Sequence, residues 1–333
     1  MKIAVIGAGA VGSVIGGLLS KDGEDVTLIG RKPHVDAINQ NGLILGEASG
    51  ESVIRIKAAE NFDFKPDLAL LTVKTQDVES SVKKDISYLS SVPVVTVQNG
   101  VQSDDLVAGV LGRENVISAV ILSNFEFLEP GKVWYSNLFG KVAMLIGEPF
   151  GTKANRLQNL STLLNKAVST DISENIRGAH WTKLMWNLQT AVPAITGFSY
   201  QESYQYPQGR ELAIKLVSEG LMVINAAGIK TEDVPGFPLG PLKTMASMPL
   251  PNASLLLKGM VESLGKVPVL GSTLQSIRRG STTEVDYLNG EIVNLGKKMG
   301  IPTPANSLIV ELVHQVETIG KFLTVDEITK KFS

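Results

Sequence analysis

Cysteine is absent from the 333 residues, which excludes disulfides and thiolate metal sites. Histidine occurs only at His34, His180 and His314, too scattered for a metal site, so no metal is expected. Charge of one sign is also lacking: 31 Lys and Arg against 33 Asp and Glu argue against a nucleic acid or an anionic membrane as partner. No apolar run reads as a transmembrane segment, and no internal repeat or low-complexity stretch occurs. The missing cysteines fit a reducing compartment, and the cytoplasm is the expected location. The opening MKIAVIGAGAVGSVIGGLL sets a lysine before a mostly apolar run, as a secretory signal does. Its glycines interrupt that run, and a strand, a tight turn and a helix account for them better.

What the chain has is length for two cores. Runs rich in Val, Ile and Leu at residues 2–6, 25–29, 67–72 and 93–97 have the composition of strands buried on both faces, with helix-like segments such as 10–21 and 76–88 between them. That alternation predicts a parallel, doubly wound sheet with right-handed crossovers. Runs at 115–122, 132–136 and 141–146 are expected to extend it, with the turn Glu129 to Lys132 (EPGK) between the first two. A helix near 153–167 and a short strand-like run, Val168 to Ser173, complete this part. Beyond Ile176 almost only helical periodicity remains, at 177–195, 207–227, 252–263, 282–298 and 304–320, with Asp233 to Leu242 (DVPGFPLGPL) as a loop. The expected class is α/β: an N-terminal doubly wound domain over 1–172 and an all-α domain over 173–333.

Gly7-Ala8-Gly9-Ala10-Val11-Gly12 reads G-x-G-x-x-G directly after a strand and at the start of a helix, the context that a dinucleotide fingerprint requires. Gly7 permits the tight turn, Gly9 admits a pyrophosphate, and Gly12 lets helix and strand pack closely. The helix N-terminus offers unpaired N–H groups to phosphate. The first domain is thus expected to be of Rossmann type. After the second strand, where an NAD-binding domain carries an acidic residue for the ribose, this chain has Gly30, Arg31 and Lys32. Arg31 suits a 2′-phosphate, which favours NADP (NADPH) over NAD, and a solvated basic turn is the alternative. Lys74 and Thr75 in TVKTQD, and Gln98, Asn99 and Gly100 in TVQNG, end strands at the edge where such sheets bind ligands.

In TKLMWNLQTA, Lys183, Asn187 and Thr190 stand at helical spacing on one face of a helix that is otherwise apolar. The stripe suggests a wet cleft, and a lysine snorkelling at a core rim is the alternative.

At this point GAGAVG, VKTQD, QNG, EPG, KLMWN, TTEVDYLNG (282–290) and GIPTPAN (300–306), in that order, make the chain resemble the ketopantoate reductase (2-dehydropantoate 2-reductase) family over nearly its whole length. The resemblance implies NADPH-dependent reduction of 2-dehydropantoate to pantoate, in pantothenate and coenzyme A biosynthesis. Substrate would lie in the cleft between the domains; many domain-cleft enzymes close on substrate, and a hinge is then expected near Asp171 to Asn175. It implies catalytic roles for Lys183, as general acid, and for Glu284. It implies cofactor contacts by residues 7–12, Arg31, Lys74, Asn99 and Glu284, and substrate contacts by Asn99, Lys183, Asn187 and Ser272. The implied partner is a small 2-oxo acid, and a homodimer stays open. The chemistry agrees, because hydride reaching C2 leaves charge on the carbonyl oxygen, which an ammonium can stabilise and protonate.

Structural alternatives stand beside these roles. Ser281 and Glu284 in S-T-T-E have capping-box spacing, Asn187 could bond a neighbouring helix, and Ser272 could cap one. A pairing of Lys183 with Glu284 is attractive because a lone buried ammonium is costly. The chain also departs from the family. Ala191 and Val192 stand where an asparagine and a proline are usual, Pro193 comes one residue late, and Gln201 takes another asparagine position. Reduction of a different branched or aromatic 2-oxo acid, accommodated by Ala191 and the Phe198 and Tyr200 region, is therefore the second reading. A non-catalytic NADP-binding sensor is the third.

Overall fold

Short runs of Val, Ile and Leu without alternation form central strands, and these build the core of the first part of the chain. The computed structural model describes residues 1–136, 141–151 and 154–332. The chain separates into two compact units, Met1–Ala179 and His180–Ser333.

Among the described residues of the first unit lie the strands β1 (Lys2–Ile6), β2 (Asp25–Ile29), β3 (Leu43–Glu47), β4 (Gly50–Ile54), β5 (Lys57–Ala59), β6 (Leu68–Leu71), β7 (Val94–Thr96), β8 (Val116–Ile121), β9 (Phe125–Glu129), β10 (Lys132–Tyr135), β11 (Met144–Gly147) and β12 (Thr170–Ile172). The main sheet runs β12-β11-β8-β7-β6-β1-β2-β5. Its neighbours are parallel except β11 with β8. Order reverses beside β1, whose neighbours are β2 on one side and β6 on the other. The fold is the expected α/β sheet domain followed by a helical one.

One strand-like run goes elsewhere. Residues 132–136 do not extend the main sheet: β10 belongs to a second sheet, β4-β3-β10-β9. Its burial alternates, with Val133 and Tyr135 covered and Lys132 and Trp134 half-buried, so it suits a one-faced sheet rather than a central position. The EPGK turn joins β9 to β10, and β3, β4 and β9 were not foreseen. His34 fastens this sheet to its surroundings. Its Nδ1 accepts the Gly131 N–H at 2.8 Å, which leaves Nε2 to donate to Ser13 Oγ at 3.0 Å, and burial lowers its pKa to about 4. The ring is therefore neutral at pH 7. The helix expected over 153–167 spans Ala154–Leu164, and Lys153 lies outside the described residues.

In the second unit the expected helix 177–195 is broken. Ile176–Asn187, which begins in the first unit, gives way to a 3-10 turn, Leu188–Thr190, and then Ala191–Thr196. Pro193 has no N–H to return to Gln189, so the α-helix cannot run through. The Tyr204 hydroxyl donates to the Gln189 carbonyl at 3.3 Å, and Asn289 Nδ2 to that of Leu188 at 3.2 Å. Pro207–Ala226, Leu250–Glu262 and Pro304–Ile319 follow the periodicity closely. The 282–298 segment divides into a 3-10 turn, Val285–Tyr287, and a helix, Asn289–Met299. The DVPGFPLGPL stretch is a loop only to Pro238, because Leu239–Ser247 is helical and tolerates Pro241 in its first turn. Among the described residues no helix is long and apolar enough to cross a membrane.

Candidate active site

The fingerprint turn leaves β1 with Gly7 at φ +105°, and the N–H groups of Gly7 and Ala8 donate to the Ile29 carbonyl at 2.9 and 2.8 Å. The helix Ala10–Lys21 starts at once, with Val11 in its first turn and no acidic residue there. Two glycines are demanded by the fold. A Cβ on Gly7 would stand 2.5 Å from the Val73 nitrogen, and one on Gly12 would stand 2.4 Å from Thr72 Oγ1. Gly9 differs. Its backbone, at φ −84° and ψ −159°, is open to any residue, and a Cβ there would meet nothing nearer than the Gly7 carbonyl oxygen at 3.9 Å. The unit itself does not need a glycine at position 9, but a pyrophosphate approaching the backbone from outside does. Gly9→Ala is accordingly expected to leave the melting temperature unchanged while weakening dinucleotide binding about tenfold or more. Calorimetric titration beside thermal unfolding checks this, and a lower melting temperature with intact binding would refute it.

Arg31 follows β2 as the exposed residue preceding the helix Lys32–Asn41. Among the described residues its guanidinium has no hydrogen bond or ion pair, whereas Lys32 pairs with Asp36 at 3.2 Å. Lys74 follows β6 and precedes a 3-10 turn, Thr75–Asp77. Asn99 follows β7, and its carbonyl accepts from Thr75 Oγ1 at 3.1 Å. Two residues not foreseen in these roles bind the edge together. Thr72 Oγ1 donates to the Gly7 carbonyl at 2.6 Å, and Gln98 Nε2 to those of Leu71 and Val73 at 2.6 and 3.0 Å. The fingerprint, Arg31, Lys74 and Asn99 thus stand at the carboxyl ends of the adjacent parallel strands β7, β6, β1 and β2.

In the second unit Lys183 and Asn187 share the helix Ile176–Asn187, both half-buried. The stripe ends there. Thr190 is buried in the 3-10 turn and its hydroxyl bonds that of Thr273 at 2.8 Å, which joins the turn to the helix Ser272–Arg278. Ser272 is exposed in the first turn of that helix, whose N-cap is Gly271, so it is not the cap. Glu284 is itself the residue preceding the Val285–Tyr287 turn, with no side-chain cap bond, so S-T-T-E does not form a capping box. Asn289, on the element after Glu284, reaches the Leu188 carbonyl. The elements bearing Lys183, Asn187, Ser272 and Glu284 therefore converge on Leu188–Thr190. Among the described residues no hydrogen bond or ion pair joins Lys183 to Glu284. Burial alone lowers the Lys183 pKa, to about 7. Its neighbour is aromatic: the ammonium sits over the Phe237 ring, 3.4 Å from the centroid, a contact between distant segments that no periodicity announces.

The positions that depart from the family have structural employment. Ala191 is fully buried. Gln201 clasps the 265–269 segment, its Nε2 donating to the carbonyls of Gly265 (3.3 Å) and Val267 (2.7 Å) and its Oε1 accepting from the Val269 N–H (2.9 Å). Among the described residues no cluster of three or more histidine or acidic side chains could hold a metal.

A G-x-G-x-x-G turn between β1 and the helix Ala10–Lys21, at the carboxyl edge of a doubly wound parallel sheet, is the arrangement of a dinucleotide-binding domain. The sequence matches the family model Ketopantoate reductase PanE/ApbA over residues 3–149 and its C-terminal counterpart over 175–317. The chain belongs to the ketopantoate reductase family, and it is an oxidoreductase. A 2-dehydropantoate 2-reductase of Pyrococcus horikoshii is 30% identical, covering 96% of this chain and 99% of its own. The crystal structure of a PanE/ApbA family ketopantoate reductase from Ralstonia eutropha JMP134 is similar at TM-score 0.79 and 31% identity, over 96% of this chain and 99% of that one. A ternary structure of D-mandelate dehydrogenase with NADH and anilino(oxo)acetate shares the fold at TM-score 0.80 and 22% identity, over 96% and 99%.

Proposed function

We propose that this chain reduces ketopantoate to pantoate with NADPH, in pantothenate and hence coenzyme A synthesis in the cytoplasm. Residues 1–172 would hold the cofactor and 173–333 the substrate. The observation that carries the reading is Lys183, an ammonium with its pKa brought to about 7 and no carboxylate paired to it among the described residues. An acid tuned to the working pH is best placed to deliver a proton. When bound, NADPH supplies the hydride that turns the C2 carbonyl into an alcohol. Lys183 stabilises the charge growing on that oxygen and gives it the proton from Nζ. Asn187, Asn99 and Ser272 orient the substrate, and Glu284 supplies the acidic group of the site. Gly7 to Gly12 hold the pyrophosphate, Lys74 and Asn99 stand on the same edge, and Arg31 forks onto the 2′-phosphate.

Ala191 and Gln201 favour a second reading. Both stand at positions where the family usually places asparagine, and here one is buried and the other is used within the fold. Each substrate hydroxyl left without a partner weakens binding, so a 2-oxo acid with an apolar branched or aromatic side chain fits these two positions better than a hydroxylated one.

Initial rates of NADPH oxidation with ketopantoate and with 2-oxo acids differing in size and in the 4-hydroxyl, with NADH as control, test both readings. Ketopantoate preference supports the first, and turnover only of apolar 2-oxo acids replaces it with the second. In the same assay Arg31→Ala is expected to raise KM for NADPH about ten- to hundredfold and barely change that for NADH. Equal weakening would refute the phosphate contact.

A further inference from the structure

Phe237 is delivered to Lys183 by a built device. Val234-Pro235-Gly236-Phe237 is a β-turn closed by the Phe237 N–H donating to the Val234 carbonyl at 2.9 Å. Proline second and glycine third, with Gly236 at φ +78°, are the residues that a type II turn demands. Two residues flanking Lys183 on its helix hold the turn in place. Thr182 Oγ1 donates to the Glu232 carbonyl at 2.6 Å, and Trp186 Nε1 to that of Pro238 at 3.2 Å. The Trp186 ring meets Phe237 edge-on, with centroids 6.2 Å apart at 74°. Phe237 is thus fixed from three directions with its face under the ammonium.

Resting on the reading of Lys183 as proton donor, we propose that Phe237 is a positioning residue for the reductive step: its ring face holds the Lys183 ammonium in place and screens it from bulk water. The ring acts in two opposed ways. Covering the ammonium disfavours its charge, whereas the negative face of the π system favours it. No other charged group sets the balance. Burial is the cause of the lowered pKa, and among the described residues neither Glu232 and Asp233 before the turn nor Glu284 and Asp286 beyond is hydrogen-bonded or ion-paired to the ammonium.

Opposed effects allow variants to separate them. Phe237→Leu keeps apolar cover and removes the π face, so the Lys183 ionisation falls by about one pH unit. Phe237→Ala admits water, and the ionisation rises toward that of a solvated lysine. Phe237→Tyr keeps the face and leaves it in place. Two readouts are taken on each protein: the pH profile of kcat/KM for the 2-oxo acid selected by the panel above, and the pH dependence of Lys183 acetylation by acetic anhydride, followed by peptide mass spectrometry. Support consists of opposite displacements in the Leu and Ala variants, shared by both readouts, with Tyr unmoved. An acetylation midpoint that stays fixed in both the Leu and Ala variants overturns the proposal. A midpoint that moves while the rate profile does not shows instead that Lys183 is not the acid, which removes the reading beneath the proposal as well.

Discussion

Lys183→Ala is expected to lower kcat for reduction by about 10²- to 10⁴-fold while dinucleotide affinity stays at the wild-type level. The size follows from the role proposed for the ammonium, which is to place charge beside the developing alkoxide and to give the proton that completes the alcohol. The dinucleotide fingerprint lies in the other unit, so binding is spared. The direction of the pH dependence is also set. Only protonated Lys183 can donate, so the reduction rate falls as pH rises through about 7. Lys183→Arg abolishes that limb because a guanidinium stays charged, yet it restores little rate, since a group that keeps its proton cannot deliver one and its planar fork does not reproduce a point charge. Initial-rate kinetics across pH, with separate titration of NADPH binding, check the set. A wild-type rate in the alanine variant would end the assignment of Lys183 as the acid.

Glu219→Ala is expected to cost about 3–5 kcal/mol of stability, and to lower the melting temperature by roughly 10 °C. Glu219 is a buried carboxylate whose Oε1 accepts the Ala305 N–H at 2.8 Å. Its Oε2 accepts the Asn306 N–H at 2.9 Å and Nδ2 at 2.7 Å. It therefore closes the N-terminus of Pro304–Ile319, where a negative charge also suits the helix dipole. Asn306 passes the connection on. Its Nδ2 also donates to the Leu216 carbonyl at 3.0 Å, and its Oδ1 accepts from Asn289 Nδ2 at 2.9 Å, which reaches Leu188. Losing Glu219 strands three interior N–H donors and loosens the turn on which the elements bearing Lys183, Asn187, Ser272 and Glu284 converge. Thermal and urea unfolding measure the loss. A melting temperature within about 2 °C of wild type would show that water replaces the carboxylate at little cost.

The strands of the main sheet were legible because residues such as Ile3 to Ile6 and Leu68 to Leu71 are apolar without alternation, and burial on both faces is the simplest explanation of that. The second sheet was not. GESVI and FEFLE have too few apolar residues on one face to outweigh Gly50 and the glutamates as loop signals. Pro193 was visible, but as a shifted family position rather than as the cause of a helix break. S-T-T-E and S-Y-Q-E have the same capping spacing, yet only Ser199 and Glu202 make the box, because a helix starts there and no helix starts at Ser281. At the site, Gly9, Arg31 and Lys183 stood out by local pattern. Phe237 and Glu219 did not, since each acts on a residue far along the chain, and a phenylalanine in a Pro-rich loop or a glutamate in a long helix looks solvent-facing.

The second sheet also bears on how the first unit is made. β10 pairs in parallel with β3, Lys132 opposite Ile44, so the sheet unites stretches separated by everything from β4 to β9. Loop-closure entropy and the slow formation of non-local pairings put that union late in folding. A chain emerging from the ribosome presents the β3–β4 hairpin long before β9 and β10 exist to complete it. During that interval β3 keeps an unpaired edge, and the His34 Nδ1 lacks the Gly131 N–H that later occupies it. The nascent first unit is therefore open to a chaperone, or to self-association, at β3 until β10 arrives to cover it.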